Sequence, residues 1–225
     1  MREWKIPPGW KMIYRSGMPE TRRLLFISNG HGEDAEASFI ARAILESGLP
    51  IEMSAVAMVG EGKAYQDAGV PIIGPTFTPP SNGFSYMDRK LLIQDVKAGL
   101  LGATLAQWRA IRRTARGSDL VLGIGDEYCQ LLAWSSGRPF VSYIAPLSVQ
   151  YEGYLNLDLM LLGAMRSARC VEVLTKDSAT ADYLRARGHA KVAFGGNPSV
   201  DFLAPSGIDL QVEPDQTVIG LLPGS

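Results

Sequence analysis

The sequence predicts an α/β protein, a Rossmann-like parallel sheet with helices on both faces, and three observations point that way. From Leu24 onward, short apolar runs alternate with helical patterns, the signature of βαβ units. Glycine turns follow several of the apolar runs, where a strand would hand over to a helix. The chain has 225 residues, 46% of them hydrophobic and 20% charged, enough to bury a full core.

Taken in order, residues 1–23 mix Trp4, Trp10 and Tyr14 with Pro, Gly and charges, and are expected to form a flexible arm without a signal peptide; Met18 is a second possible start. Residues 24–202 are expected to form one Rossmann-like domain. Its strands are read at Leu24–Ser28, Met53–Met58, Pro71–Ile73, Leu120–Gly123, Phe140–Ile144, Cys170–Leu174 and Val192–Phe194. Its helices are read at Asp34–Ser47, Lys90–Ala115, Glu127–Ser135, Leu155–Ser167 and Lys176–Arg187. Between them, Gly74–Asp88 holds Pro75, Pro79, Pro80 and Gly83 among aromatics, and reads as a long functional loop at one sheet edge. Residues 203–216, rich in Pro, Gly and acids, read as a linker. Thr217–Leu222 then repeats a buried-strand pattern before Pro223-Gly224-Ser225, so 217–225 is expected to be the first strand of a further, truncated domain.

Composition narrows the function. A formal net charge of −1 provides no long-range positive field, which argues against nucleic acid as the main partner. The two Cys, Cys129 and Cys170, sit in apolar contexts that suit reduced thiols in a cytoplasmic protein. With only two His as well, no zinc-ligand spacing exists, and no metal is expected. No stretch approaches the roughly 18 consecutive apolar residues of a membrane span.

The sharpest local pattern lies between the first strand and first helix: Asn29-Gly30-His31-Gly32-Glu33-Asp34-Ala35. Gly30, Gly32 and Ala35 fit the G-x-G-x-x-A variant of the dinucleotide fingerprint. Yet the second strand ends Ala57-Met58-Val59-Gly60 without the ribose-binding acid, and Glu33 with Asp34 would repel a pyrophosphate, so NAD is disfavoured. The same amides and carboxylates suit the hydroxyls of an uncharged sugar, while Glu33 and Asp34 also favour the positive end of a helix. His31 is able to take a proton near neutral pH. His189, after Arg187-Gly188 at a helix C-terminus, reads as a surface residue. Gly125-Asp126 ends the fourth predicted strand and points Asp126 at the same crevice, as a second candidate base or as the N-cap of the helix from Glu127. Gly60 and Asn197 belong to further glycine turns, Val59–Lys63 and Gly195–Asp201, on that ligand-bearing edge. In the long helix, Leu101, Leu105, Trp108, Ile111 and Ala115 make an apolar face and Arg109, Arg112, Arg113 and Arg116 a basic one. The basic face is either solvated or, with Phe77, Phe84, Tyr86, Met87, Arg89 and Lys90 of the loop, a contact with anionic lipid.

In order along the chain, Asn29–Asp34, Val59-Gly60-Glu61-Gly62, Gly74-Pro75, Gly125-Asp126, Gly196-Asn197-Pro198 with Asp201, and Leu221-Leu222-Pro223-Gly224-Ser225 form a set that resembles lipid-A-disaccharide synthase and, more closely, the synthase-related proteins of bacteria. The resemblance covers about Leu24 to Ser225. It implies the N-terminal, acceptor-binding half of a GT-B glycosyltransferase, with the UDP-sugar held mainly by a second domain that the Leu-Leu-Pro-Gly-Ser element would open. The activity implied is a metal-independent, inverting hexosyl transfer from a UDP-sugar to a lipid-linked or sugar acceptor, with no cofactor other than that co-substrate. Asp126 or His31 would be the base, and Asn29, Gly30, Gly32, Glu33, Asp34, Gly60, Gly125 and Asn197 would bind substrate. Such a protein would be cytoplasmic, with peripheral membrane contact possible, and this chain alone is expected to be inactive. The first loop departs from the Gly-Glu-Ala-Ser-Gly-Asp pattern of the true synthase, which leaves the acceptor open. A UDP-sugar 2-epimerase and a non-catalytic lipid- or carbohydrate-binding module are the alternative readings.

Overall fold

A computed structural model of the chain describes residues 21–81 and 89–203, with the single positions 207 and 219 beyond them. Element order is β1 Arg22–Ser28, α1 His31–Glu46, β2 Ile51–Ala57, α2 Lys63–Asp67, α3 Arg89–Lys97, α4 Leu100–Ala115, β3 Leu120–Ile124, α5 Glu127–Ser135, β4 Phe140–Tyr143, α6 Val149–Glu152, α7 Leu159–Arg166, β5 Cys170–Thr175, α8 Ser178–Ala186, β6 Val192–Phe194 and α9 Pro198–Asp201. The strands form one six-stranded sheet in the order β2-β1-β3-β4-β5-β6, and every pairing is parallel. The predicted α/β class with a Rossmann-like parallel sheet is the observed one.

Parallel strands need covering on both faces, and β1 shows how the sequence provides it. Its residues Leu24 to Ser28 are all buried. Side chains alternate across the sheet. Leu25 and Ile27 therefore join a core with Ile111 of α4, Leu132 of α5, Leu161 of α7 and Leu184 of α8. Leu24 and Phe26 join the opposite core, with Ala37 and Ala41 of α1 and Tyr65 of α2. The small alanines let α1 approach β1 closely. Fully burying a side chain such as Ile27 contributes about 1.5–3 kcal/mol.

Strand order reverses at β1. The chain runs outward from β1 to β2, then returns through α3 and α4 to place β3 on the other side. The carboxyl ends of β1 and β3 thus diverge into connections on opposite faces, and this switch point is where open α/β sheets hold ligands.

Several boundaries differ from the sequence reading. The helix predicted over Lys90–Ala115 is two helices, because Gly99 takes a left-handed φ of 105° and restarts the chain as the N-cap of α4. Leu101 and Leu105 lie exposed on the first two turns of α4, and its buried apolar face is carried by Ile111 and Ala115 with Trp108 partly buried. Pro71–Ile73 is no sheet strand but a single bridge, Ile72 to Ala55 at the β2 edge. α6 went unread because four residues cannot show a helical period; Ser148 caps it by accepting from the Gln150 amide. α7 starts at Leu159 rather than Leu155, set by Asp158, whose carboxylate accepts from the Leu161 amide. β1 starts at Arg22, two residues inside the predicted arm. Residues 1–20 of that arm, most of the 203–216 linker and all but Ile219 of the Thr217–Leu222 strand lie outside the described residues, as do Phe84, Tyr86 and Met87 of the long loop.

Candidate functional site

The β1–α1 loop is built from below. Ser28, last residue of β1, is fully buried and donates from Oγ to Asp34 Oδ1 at 2.6 Å. The same Oγ lies 2.7 Å from the buried Tyr65 hydroxyl of α2. Asp34 is only 2% exposed, so its carboxylate belongs to the floor and not to the crevice surface. Burial turns the Asp34 side chain toward Ser28 rather than toward the crevice. Burial pushes its carboxyl up to about 6, opposed by the Ser28 hydrogen bond and the nearby His31, with Glu33 adding to the rise.

Above this floor, Gly30 N-caps α1 in extended backbone with no side-chain cap, leaving the first amides of α1 free of that partner. The Glu33 carboxylate folds back over Gly30, occupying the space a β-carbon would need. Gly32 is exposed and open.

Two other loops meet this one. Gly125, after β3, has φ 131°, and a β-carbon there would stand 2.5 Å from Asn29 Oδ1 and 3.3 Å from Glu33 Cγ. Only glycine lets the β1 and β3 loops touch in this way. Gly60, after β2, has φ 76°, and a β-carbon there would stand 2.6 Å from Cε1 of the exposed His31. The imidazole therefore lies on the β2 side of Asn29 and Gly125 on its β3 side. Asn29, Gly30, His31, Glu33, Gly60 and Gly125 are thus one constellation at the switch point.

Asp126 stands beside it as the N-cap of α5, its Oδ1 accepting from the amides of Tyr128 at 3.0 Å and Cys129 at 3.3 Å. The capping role read from the sequence is present; a role as base would fall to the same carboxylate. Asn197 sits three strands further, at the β6 end, and caps the short α9 by accepting from the Ser199 amide. Tyr143, last residue of β4, donates its hydroxyl to the Gly196 carbonyl at 3.0 Å and ties that outlying loop to the rest. His189 is on the connection entering β6, at the opposite end of the strands, so it takes no part.

The supporting residues were not singled out from the sequence. Gln130 of α5 is fully buried; its Nε2 donates to the carbonyls of Gly123, Gly125 and Tyr143, and its Oε1 accepts from Ser142. It fixes the turn that carries Gly125 and Asp126. Gln107 of α4 does the same for the β2 loop, donating to the carbonyls of Met58 at 3.1 Å and Pro75 at 3.3 Å. A Gln on an otherwise apolar helix face is the one signal that could have revealed either. Cys129 and Cys170 are both free and buried, and burial pushes the Cys129 thiol well up, which keeps it uncharged beneath the crevice.

Elsewhere, two recesses of about 270 and 200 Å³ open at the amino ends of the strands, one lined by Arg23, Glu52 and Ser118, the other by Arg166, His189 and Lys191. That end is opposite to the glycine-loop edge. Among the described residues there is no group of three or more His, Cys, Asp or Glu side chains placed to hold a metal ion. No described helix is long and apolar enough to cross a membrane.

No family model matches the sequence, and no curated protein matches it. Among solved structures, it is similar to a Listeria monocytogenes protein assigned as a UDP-N-acetylglucosamine 2-epimerase, with TM-score 0.51 and 13% identity, covering 79% of this chain and 46% of that one. It also matches Anabaena HepE in complex with UDP and glucose, with TM-score 0.47, 15% identity and coverage of 78% and 44%, and MurG of Acinetobacter baumannii, with TM-score 0.42, 15% identity and coverage of 68% and 41%. The chain spans less than half the length of each of these. What the Listeria comparison shows is a shared fold, the Rossmann-like sheet with its helices.

Proposed function

We propose that this chain is the acceptor-binding part of a GT-B glycosyltransferase that moves a sugar from a UDP-sugar to a lipid-linked or sugar acceptor. The observation that carries the reading is the contact of the β1 and β3 loops at the switch point, where Asn29, Glu33 and Gly125 close on one another with His31 and Asp126 on either side. Such a cradle offers amides and carboxylates to hydroxyls, and two side chains able to take a proton.

In the proposed reaction the acceptor oxygen attacks the anomeric carbon as the bond to UDP breaks, with inversion, and His31 or Asp126 takes the hydroxyl proton. The departing charge would be met by helix-end amides of a second domain rather than by a metal or a cofactor. Gly32, Gly60 and Asn197 complete the proposed acceptor contacts. Peripheral contact with anionic lipid is supported by Leu92, Ile93, Val96, Leu101 and Leu105, all exposed, beside the exposed Arg109, Arg112, Arg113 and Arg116. The free, buried thiols of Cys129 and Cys170 support a cytoplasmic reading.

The test is to incubate the full-length gene product with UDP-sugars, with and without lipid-linked and free-sugar acceptors. UDP release that requires an acceptor supports the proposal. Turnover of the UDP-sugar alone would indicate an epimerase, and binding without turnover a carbohydrate- or lipid-binding module. His31→Ala and Asp126→Asn then separate the two bases, since the true base loses kcat while binding is retained.

A further inference from the structure

Glu36, on the second turn of α1, has a buried oxygen, Oε2, with no hydrogen-bond partner among the described residues. A buried orphan of this kind is costly and calls for a physical explanation. It stands one helical turn beyond Glu33, on the same side of α1. Facing it from other elements are Lys176, on the loop after β5, and Tyr143 of β4, which also senses Asp201 of α9. The Tyr143 hydroxyl is already committed to the Gly196 carbonyl. Lys176 in turn places Nζ 5.3 Å from the ring centroid of Tyr151 in α6, and that tyrosine is 81% exposed.

We propose that Glu36, Lys176 and Tyr151 form a subsite for one ring of an uncharged sugar, on the β4–β5 side of the crevice. This deepens the glycosyltransferase reading and takes its ligand class from it. Three connections, β1–α1, β4–α7 and β5–α8, bring the trio to the carboxyl edge of the sheet. Each member supplies a different part of sugar recognition. The exposed tyrosine ring offers an apolar face for the C–H side of a pyranose. The Lys176 ammonium donates to a hydroxyl. The Glu36 carboxyl, pushed up to about 7 by burial and then by Glu33 against the pull of Lys176, exists near neutrality in both protonation states, so it can donate or accept. An anionic ligand is disfavoured, because Glu33 and Glu36 outnumber the single Lys176.

The experiment uses the ¹⁵N-labelled chain titrated with glucose and with N-acetylglucosamine, read by amide chemical shifts. The expected result is movement at Glu36, Tyr151 and Lys176 together with residues 29–33. Glu36→Leu, Lys176→Met and Tyr151→Ala should each weaken binding about tenfold, whereas Glu36→Gln, which keeps a donor and an acceptor, should stay within about threefold. Tyr151→Ala removes an exposed side chain, so its effect is not one of misfolding. Shifts confined to residues 29–33, 125 and 126 would overturn the subsite and leave the proposed function standing. Binding unchanged in Glu36→Leu and Tyr151→Ala would overturn it equally, and no shift anywhere would overturn both.

Discussion

Replacing Asp34 by Asn should stabilise the protein above pH 6 and leave it nearly unchanged below pH 4. The side chain is 2% exposed and its carboxyl is raised from 3.8 to about 6, chiefly by burial. The native state therefore holds this proton more tightly than the unfolded chain. The resulting stabilisation is complete below 3.8 and is lost as pH rises through about 6. The gap corresponds to about 3 kcal/mol, at roughly 1.4 kcal/mol per pH unit. Asn still accepts from Ser28 Oγ, but as a neutral partner, which gives back about 1 kcal/mol relative to the charge-assisted bond. A net gain of about 1–2 kcal/mol at pH 8 remains, or about 2–4 °C in Tm per kcal/mol for a chain of this size. Urea unfolding followed by circular dichroism from pH 4 to 8 reads it directly. The wild type should lose stability between pH 4 and 6 and the variant much less, with the Glu36 contribution near pH 7 common to both. Parallel stability curves for the two proteins would refute the reasoning and mean that the Ser28–Asp34–Tyr65 cluster is better solvated than its burial implies.

Three further outcomes follow from the site. Gly125→Ala, at φ 131° and against Asn29 Oδ1, should cost about 1–3 kcal/mol by thermal unfolding and should weaken sugar binding at the switch point. Asp126→Ala should cost about 1 kcal/mol through the lost cap, while Asp126→Asn and Asp126→Ser keep most of it, so that a kcat defect in Asp126→Asn separates catalysis from capping. Gln130→Met strands Ser142 and relaxes three carbonyls; a loss of about 2–3 kcal/mol in urea unfolding is expected, and equal stability to wild type would contradict the role assigned to it.

The sequence by itself determined the class of fold and brought the candidate site residues to one edge of the sheet. Apolar runs such as Leu24–Ser28 and the glycine turns after them depend on nearest-neighbour chemistry, burial and backbone freedom, so a linear reading recovers them. Asp126 as a helix cap was legible for the same reason. Boundaries set by single residues were not: the break at Gly99 looks like any tolerated helical glycine until its φ is known, and Pro71–Ile73 has the composition of a strand but pairs only at Ile72. Tertiary structure alone decided which residues of one loop face the crevice. Glu33 and Asp34 are adjacent carboxylates, yet one folds over Gly30 beside Gly125 and the other is buried on Ser28, because neighbouring positions on a helix point about 100° apart. Gln107, Gln130 and Glu36 stayed hidden because their significance is a set of partners, or the lack of one, that the fold brings in from other elements, such as Ser142 for Gln130, Met58 for Gln107 and Lys176 for Glu36, and no spacing in the sequence encodes such a meeting.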